Sequence, residues 1–376
     1  MKTVLVIGAT GFLGKELVMQ LLASREWHVI VLARSDTQLF RNQDTQPEVV
    51  VGHVSHAALE DIRRRHGTLD GIFLTAGLVK HTTESRAVAE MREANVAIPN
   101  IVFDFATQHK IRTVYASSSG VVGCQFLRQW KEVAEDDDYL ASQAYRGLPY
   151  YEQKALVESA WLPKAKAGLA PIIFLRPSLL LGPGDDRLSS TTVVRDVIDQ
   201  RLPFLVPGGV SAVDVRDVAS AFIAAMTNDV DCVYGSAYNL TAANLSFSEF
   251  VALIGKTAHV SYPCIKVPAF ASRIGARLLT AGNKVLRRPA DPSVDPVFAE
   301  MGLRWWNVRS SAAKDHLGFA PRSLEVTVAN TVAYIRQHQV GLHSAEELQR
   351  ARRRRWMVSG IIAVIFFVLV YISVSR

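Results

Sequence analysis

The chain has 376 residues, 49% of them hydrophobic and 20% charged, which excludes a disulfide-stapled miniprotein and a disordered chain and suits one large domain or two around a shared cleft. Cys124, Cys232 and Cys264 lie far apart, so they offer neither a disulfide framework nor a zinc spacing, and no metal site is expected. The net charge of +7 suggests a polyanion binder until it is located: six arginines follow Glu347, and up to residue 349 the chain carries 36 basic against 35 acidic residues. No nucleic-acid partner is therefore expected.

The first predicted element is a buried strand over Thr3–Ile7, a short β-branched run. It starts like a signal peptide, but its apolar run stops at Gly8, too early for one. Gly8-Ala9-Thr10-Gly11-Phe12-Leu13-Gly14 follows, and then Leu17, Val18, Leu21 and Leu22 recur at helical spacing. Strand, glycine turn and helix in that order are the context in which such a motif binds a dinucleotide. The glycines let the backbone approach a pyrophosphate, and the helix start offers unpaired N–H groups to it. The next strand, His28–Ala33, ends on Arg34 where an acidic residue would hold the ribose hydroxyls of NAD. An arginine there accommodates a 2′-phosphate, which favours NADP, with NAD and an ordinary surface Arg as alternatives.

Further strands are predicted at Glu48–Val51, Gly71–Leu74, Thr113–Ala116 and Ile172–Leu175, with helices between them such as Glu84–Arg92 and Ala97–Gln108. Strands alternating with helices imply an α/β fold with a doubly wound parallel sheet. Thr75-Ala76-Gly77 closes one strand with small residues that leave room for a cofactor or simply turn the chain.

Two segments carry the chemistry. Tyr115-Ala116-Ser117-Ser118-Ser119-Gly120 follows a predicted strand, and a hydroxyl there can hold a substrate oxygen, although a serine-rich turn also satisfies its own backbone. In Pro149-Tyr150-Tyr151-Glu152-Gln153-Lys154, Tyr150 and Lys154 are i, i+4 neighbours on one helix face. An ammonium beside a phenol favours the phenolate and lowers its pKa from about 10, which suits a Tyr that passes a proton near neutral pH. Tyr151 has Ala155 four residues on and lacks such a partner.

In their order and spacing these features, together with Asn95 and Arg176-Pro177-Ser178-Leu179-Leu180-Leu181-Gly182-Pro183-Gly184, resemble the extended short-chain dehydrogenase/reductases of the NAD-dependent epimerase/dehydratase type, over roughly residues 1–340. The resemblance implies a Rossmann fold with a smaller C-terminal substrate lobe. It implies Tyr150 as the acid/base, Lys154 as the group that binds the ribose and lowers the Tyr pKa, Ser118 as the group that orients the substrate oxygen, and Asn95 as a support for Lys154 through water. Cofactor contacts fall on Gly8, Thr10, Gly11, Phe12, Leu13, Gly14, Arg34, Ala76, Tyr150, Lys154 and Pro177, and the segment around Arg176–Ser178 is expected to approach the nicotinamide. Residues 176–185, the run Val213-Asp214-Val215-Arg216-Asp217-Val218-Ala219 and the run Leu317–Arg322 look like the branch holding dihydroflavonol 4-reductases and 3-beta-hydroxysteroid dehydrogenases. The chain departs from the pattern at His53, which follows Gly52 where an acidic residue near the adenine is usual.

The implied organisation is a dinucleotide-binding domain over 1–177, a substrate lobe over 178–340 interleaved with late strands of the sheet, a basic linker over 341–355 and a transmembrane helix over 356–375. In the lobe, Arg216 is expected either on an acidic or phosphorylated substrate or in a salt bridge with Asp217 or a neighbour. Phe270, Ile274, Leu278, Ala281 and Val285 recur at helical spacing among basic residues, a pattern that suits either a membrane surface or packing within the lobe. Trp305 and Trp306 are expected to line that region or fill core. The tail Met357–Val374 has 18 uncharged residues, twelve of them Leu, Ile, Val or Phe. As a helix it would span about 27 Å and gain about 4–7 kcal/mol on insertion. The arginines before it would place the large N-terminal part on the cytoplasmic side and attract membrane lipid.

The expected function is a membrane-anchored NAD(P)-dependent oxidoreductase that interconverts an alcohol and a ketone on a small hydrophobic, sterol- or lipid-like substrate, with a homodimer as a compatible assembly. The alternatives are a nucleotide-sugar epimerase or dehydratase with tightly bound NAD, and a cofactor-sensing scaffold without activity.

Overall fold

Strand β1 (Lys2–Ile7) sits near the middle of a parallel sheet because its residues are apolar on both faces: Val4 and Val6 point to one layer, Leu5 and Ile7 to the other, and all four are buried. The computed structural model describes residues 1–35, 39–40, 45–124, 147–202, 204–228, 234–262, 265–285 and 296–342. β1 pairs with β2 (Trp27–Ala33) on one side and β4 (Gly71–Leu74) on the other; β3 (Glu48–Val51) adds outside β2, and β5 (Thr113–Ala116), β6 (Ile172–Pro177) and β9 (Ala237–Leu240) follow beyond β4. The resulting order β3-β2-β1-β4-β5-β6-β9 is parallel throughout, and its direction reverses between β1 and β4. A crevice outside the strand carboxyl ends at such a switch point is where doubly wound sheets bind ligands.

Helices cover both faces. α1 (Phe12–Ser24), α7 (Val215–Thr227) and α11 (Ser311–Leu317) pack on one with Val29, Val31, Phe73 and Leu175. On the other, α2 (His56–His66), α4 (Ile98–His109) and α5 (Pro149–Lys166) pack with Ile30, Leu32, Tyr115 and Phe174. Helix α3 (Ser85–Arg92) runs into α4 through a π-helical turn, Glu93–Ala97. The predicted break between two helices is therefore a wide turn within one helical run.

The lobe has its own core. β7 (Leu179–Leu181), β8 (Gly209–Asp214) and β10 (Ala243–Ser246) form a second sheet, with β7–β8 parallel and β8–β10 antiparallel. Leu181 and Ala212 bury against α6 (Thr192–Ile198), α8 (Phe247–Ala258) and α12 (Leu324–Gln337). Helix α8 opens with Ser246 and Glu249 capping each other's backbone, a pattern that fixes a helix start. Helix α9 (Ala269–Val285) lies against α10 (Pro296–Gly302), with Arg273 Nε 2.6 Å from Glu300 Oε1. It buries Ala271 and Ala276 and leaves Phe270, Ile274 and Leu278 exposed. The packed face of α9 is thus its small-residue face, not the large apolar stripe.

The expected C-terminal transmembrane helix, and the membrane localisation drawn from it, are corrected here. Among the described residues no helix is long and apolar enough to cross a membrane. Residues 343–376, on which that expectation rested, lie outside the described residues. The fold class is a Rossmann-type α/β sheet with a smaller lobe.

Candidate active site

The glycine loop joins β1 to α1 in very little space. Gly8 has φ +100°, and an added Cβ would lie 2.3 Å from the Ala76 nitrogen; at Gly14 it would lie 2.2 Å from the Gly8 oxygen. Thr75 and Ala76 close on the loop, both donating backbone N–H to the Ile7 carbonyl at 2.9 and 3.0 Å. Gly11 is the N-cap of α1 and supplies no side-chain cap; apart from the Gly8 oxygen at 3.3 Å, a Cβ there meets nothing within 4 Å. The helix start thus presents backbone N–H groups to an open approach, which fits a pyrophosphate. Thr10 and Phe12 are partly exposed beside it, and Leu13 is buried in the core. Arg34 is exposed where β2 ends, and Gly52 donates to the Ala33 carbonyl at 2.8 Å, which brings exposed His53 near the same end.

The serines of 117–119 point to different partners. Ser118 caps a 3-10 turn, Ser119–Val122, through its Oγ, 3.3 Å from the Gly120 nitrogen, and its hydroxyl lies beside the Tyr150 phenol. Ser117 Oγ donates to Glu158 Oε2 at 2.5 Å. Tyr150 lies in the first turn of α5, which Pro149 starts at a position where a missing N–H costs nothing. Burial pushes the Tyr150 phenol up to about 12, and the Ser118 hydrogen bond opposes this.

Lys154 is anchored by β5. Its Nζ is buried and donates to the Ala116 carbonyl at 2.7 Å and to the Tyr115 hydroxyl at 3.1 Å, and it lies 4.6 Å from the centre of the Tyr115 ring. Burial pushes it down to about 7, and the Glu158 carboxylate opposes this. These contacts fix the Lys154 side chain against the carboxyl end of β5.

Asn95 sits in the π turn and is fully buried. Its Oδ1 accepts from the Leu78 nitrogen at 2.9 Å, and its Nδ2 donates to the Leu78 carbonyl at 2.9 Å and to Gln153 Oε1 at 3.1 Å. It therefore ties the loop after β4 to α5 directly. A Cβ on Gly77 would stand 3.4 Å from Asn95 Oδ1 and 3.6 Å from Lys154 Nζ, so the three residues converge. π turns recur at functional sites because they re-aim one side chain without ending the helix.

Pro177 ends β6 beside this group. Ser178 follows with its Oγ buried and without a hydrogen-bond partner among the described residues. Arg176 does not approach the crevice. Its guanidinium is buried on Glu158 Oε1, with Nε at 2.7 Å and a second contact through Nη2. Glu158 lies four residues beyond Lys154, so Tyr150, Lys154 and Glu158 repeat at i, i+4, i+8. The helical spacing that identifies Lys154 would have identified Glu158 as well.

At the start of α7, Arg216 pairs with its own N-cap Asp214, 2.8 Å from Oδ1 and 2.7 Å from Oδ2, while Arg322 takes Asp217. The two tryptophans separate: Trp305 is buried against Gly209, and Trp306 stacks on Tyr151 at 4.7 Å, with Tyr151 edge-on to Tyr150 at 5.1 Å. Tyr151 and Trp306 are partly exposed beside the proton-transfer group.

The model of the NAD dependent epimerase/dehydratase family matches residues 4–241. The chain belongs to that family. It is 25% identical over 351 residues to sterol demethylase protein B of Methylococcus capsulatus, which covers 89% of this chain and 98% of that protein. It is also 25% identical over 336 residues to a Synechocystis sp. protein provisionally assigned as a dihydroflavonol 4-reductase, at 89% and 94% coverage. The fold resembles a UDP-glucose-4-epimerase of Stenotrophomonas maltophila solved with bound NAD, with TM-score 0.67 and 20% identity over 90% of this chain and 99% of that one. The chain is an enzyme of this extended short-chain dehydrogenase/reductase group, with an NAD-dependent family chemistry.

Proposed function

We propose that the enzyme interconverts an alcohol and a ketone on a hydrophobic, sterol- or lipid-like substrate, with NADP preferred over NAD. The placing of the Ser118 hydroxyl beside the Tyr150 phenol at the strand carboxyl ends carries this reading. Gly8, Thr10, Gly11, Phe12, Leu13 and Gly14 would hold the pyrophosphate, Arg34 the 2′-phosphate, and Ala76, Pro177, Tyr150 and Lys154 the ribose–nicotinamide end. The bound nicotinamide supplies or accepts the hydride. Ser118 holds the substrate oxygen, and Tyr150 donates its proton to that oxygen during reduction or accepts it during oxidation. The partly exposed rings of Tyr151 and Trp306 offer an apolar surface beside Tyr150, and the relative named for sterol demethylation points to the same substrate class.

An epimerase with retained NAD is the second reading, favoured by the fold it shares with an NAD-bound sugar-nucleotide epimerase. Two measurements separate them. The purified protein is expected to release no stoichiometric NAD on denaturation and to bind added NADPH. Tyr150→Phe is expected to lower turnover by about 10²–10⁴-fold while NADPH still binds, the range of a lost general acid. Full activity in Tyr150→Phe would remove the mechanism.

A further inference from the structure

Beneath the proton-transfer group lies a second layer with no direct access to substrate. Glu158 is completely buried, yet three donors satisfy it: Ser117 Oγ at 2.5 Å, and Arg176 Nε at 2.7 Å together with Nη2. Removing a carboxylate and a guanidinium from water is costly, and a well-packed apolar pair would usually serve stability as well or better. The pair spans the elements that build the site. Glu158 comes from α5, which also carries Tyr150 and Lys154; Arg176 comes from β6; Ser117 directly follows β5. The residue after Ser117 lies beside Tyr150, and the two before it hold Lys154 through the Ala116 carbonyl and the Tyr115 hydroxyl.

We propose, on the basis of the function above, that Glu158 is a positioning residue: its carboxylate tethers the carboxyl end of β5 through Ser117 and keeps the buried Lys154 side chain charged. The Ala116 carbonyl accepts from Lys154 in either protonation state, so these contacts fix where Nζ sits, while the buried Glu158 carboxylate one helical turn away favours the charged form. The titratable and charged groups around Lys154 are Tyr115 of β5, Tyr150 and Glu158 of its own helix, and Arg176 of β6 beyond Glu158. Among them only Glu158 brings a negative charge at neutral pH. Arg176 offsets part of it, and its own charge is spent on the same oxygen.

The test does not depend on turnover, so it can fail independently of the proposed reaction. Lysine labelled with ¹³C at the ε-carbon is incorporated into the full chain, the Lys154 signal is assigned with Lys154→Met, and its titration is followed by NMR. In Glu158→Gln, which preserves shape and removes charge, the Lys154 midpoint is expected to fall by about one unit or more. A merely structural role would loosen the packing and let water in, moving the midpoint up toward the ordinary lysine value; an upward or absent shift overturns the proposal. Ser117→Ala keeps both charges and removes only the tether. It is expected to leave the Lys154 midpoint in place while amide exchange at Ala116–Ser118 quickens by about tenfold. Unchanged exchange overturns the tether, and this result stands whether or not Glu158→Gln folds.

Discussion

Lys154 is the residue at which stability and function pull apart. Burial lowers its pKa from the ordinary lysine value of 10.5 to about 7. Between those values the unfolded chain binds the proton more tightly than the folded one, so stability rises with pH across that window. The rise ends near pH 10, where Tyr150, held near 12 in the fold, loses its proton first in the unfolded chain and reverses the slope. Lys154→Met removes the buried charge with little change in shape. Thermal unfolding at pH 7 is expected to show an unchanged or higher Tm than the parent, and a flatter profile from pH 7 to 10, while turnover falls by about 100-fold or more. A Tm drop of ten degrees would mean that the ammonium stabilises the fold. Arg34 bears on cofactor choice. Exposed at the end of β2, it makes no demand on packing, so Arg34→Ala is expected to weaken NADPH binding by about tenfold and leave NADH binding unchanged, the loss of one charge-assisted phosphate contact. Equal effects on both cofactors in fluorescence titration would rule out that role.

At the scale of elements, the β1 loop and the π turn show what a sequence reveals and what it hides. The strands were legible because β1, β2, β4, β5 and β6 are continuous apolar runs, as strands covered on both faces must be. The glycine spacing was legible too, but not the division of labour within it. Gly14 is required by contact, since a Cβ would collide with the Gly8 backbone, whereas Gly11 is required by what approaches from outside. Gly14→Ala is therefore expected to destabilise the fold by about 2 kcal/mol or more through overpacking, seen as a lower denaturant midpoint. Gly11→Ala is expected to keep that midpoint and weaken NADPH binding alone. The wide turn at Glu93–Ala97 leaves no mark in the sequence, because nothing in local periodicity distinguishes a π turn from an ordinary one. Asn95 could be placed near Lys154 only by resemblance, and its grip on Leu78 and Gln153 required coordinates. The direction of the Lys154 ammonium was hidden for the same reason. The i, i+4 spacing puts it on the face of Tyr150, but the β5 carbonyl that captures it is 38 residues away in the chain.

Across the whole molecule, chain crossings between the halves build the cleft. β9 returns from the lobe to pair with β6, Lys15 of α1 meets Asp186 at 3.1 Å, and Tyr334 of α12 bonds the same carboxylate. Asp214 caps α7 and holds Arg216, and Arg322 reaches Asp217, which fastens α7 of the main sheet to the segment ahead of α12. The sequence motifs around Arg216 and Arg322 thus serve assembly, although charge alone had left a substrate role open for Arg216. Composition carried an expectation of a membrane span at 356–375 that the described fold does not contain. Among the described residues, the strand carboxyl ends near the reversal of strand order carry the glycine loop on one side and Ser118 and Tyr150 on another, the place where doubly wound sheets form their binding crevice. The central claim is that a hydride moves across this crevice while Tyr150 handles the proton. NADPH carrying deuterium at C4, in its two diastereomeric forms, tests it directly against a panel of ring ketones that includes a 3-ketosteroid. One form is expected to deliver deuterium to the carbinol carbon of a released alcohol, and the Tyr150→Phe protein is expected to deliver none. Absence of deuterium from every product, or equal transfer by the variant, would contradict the account.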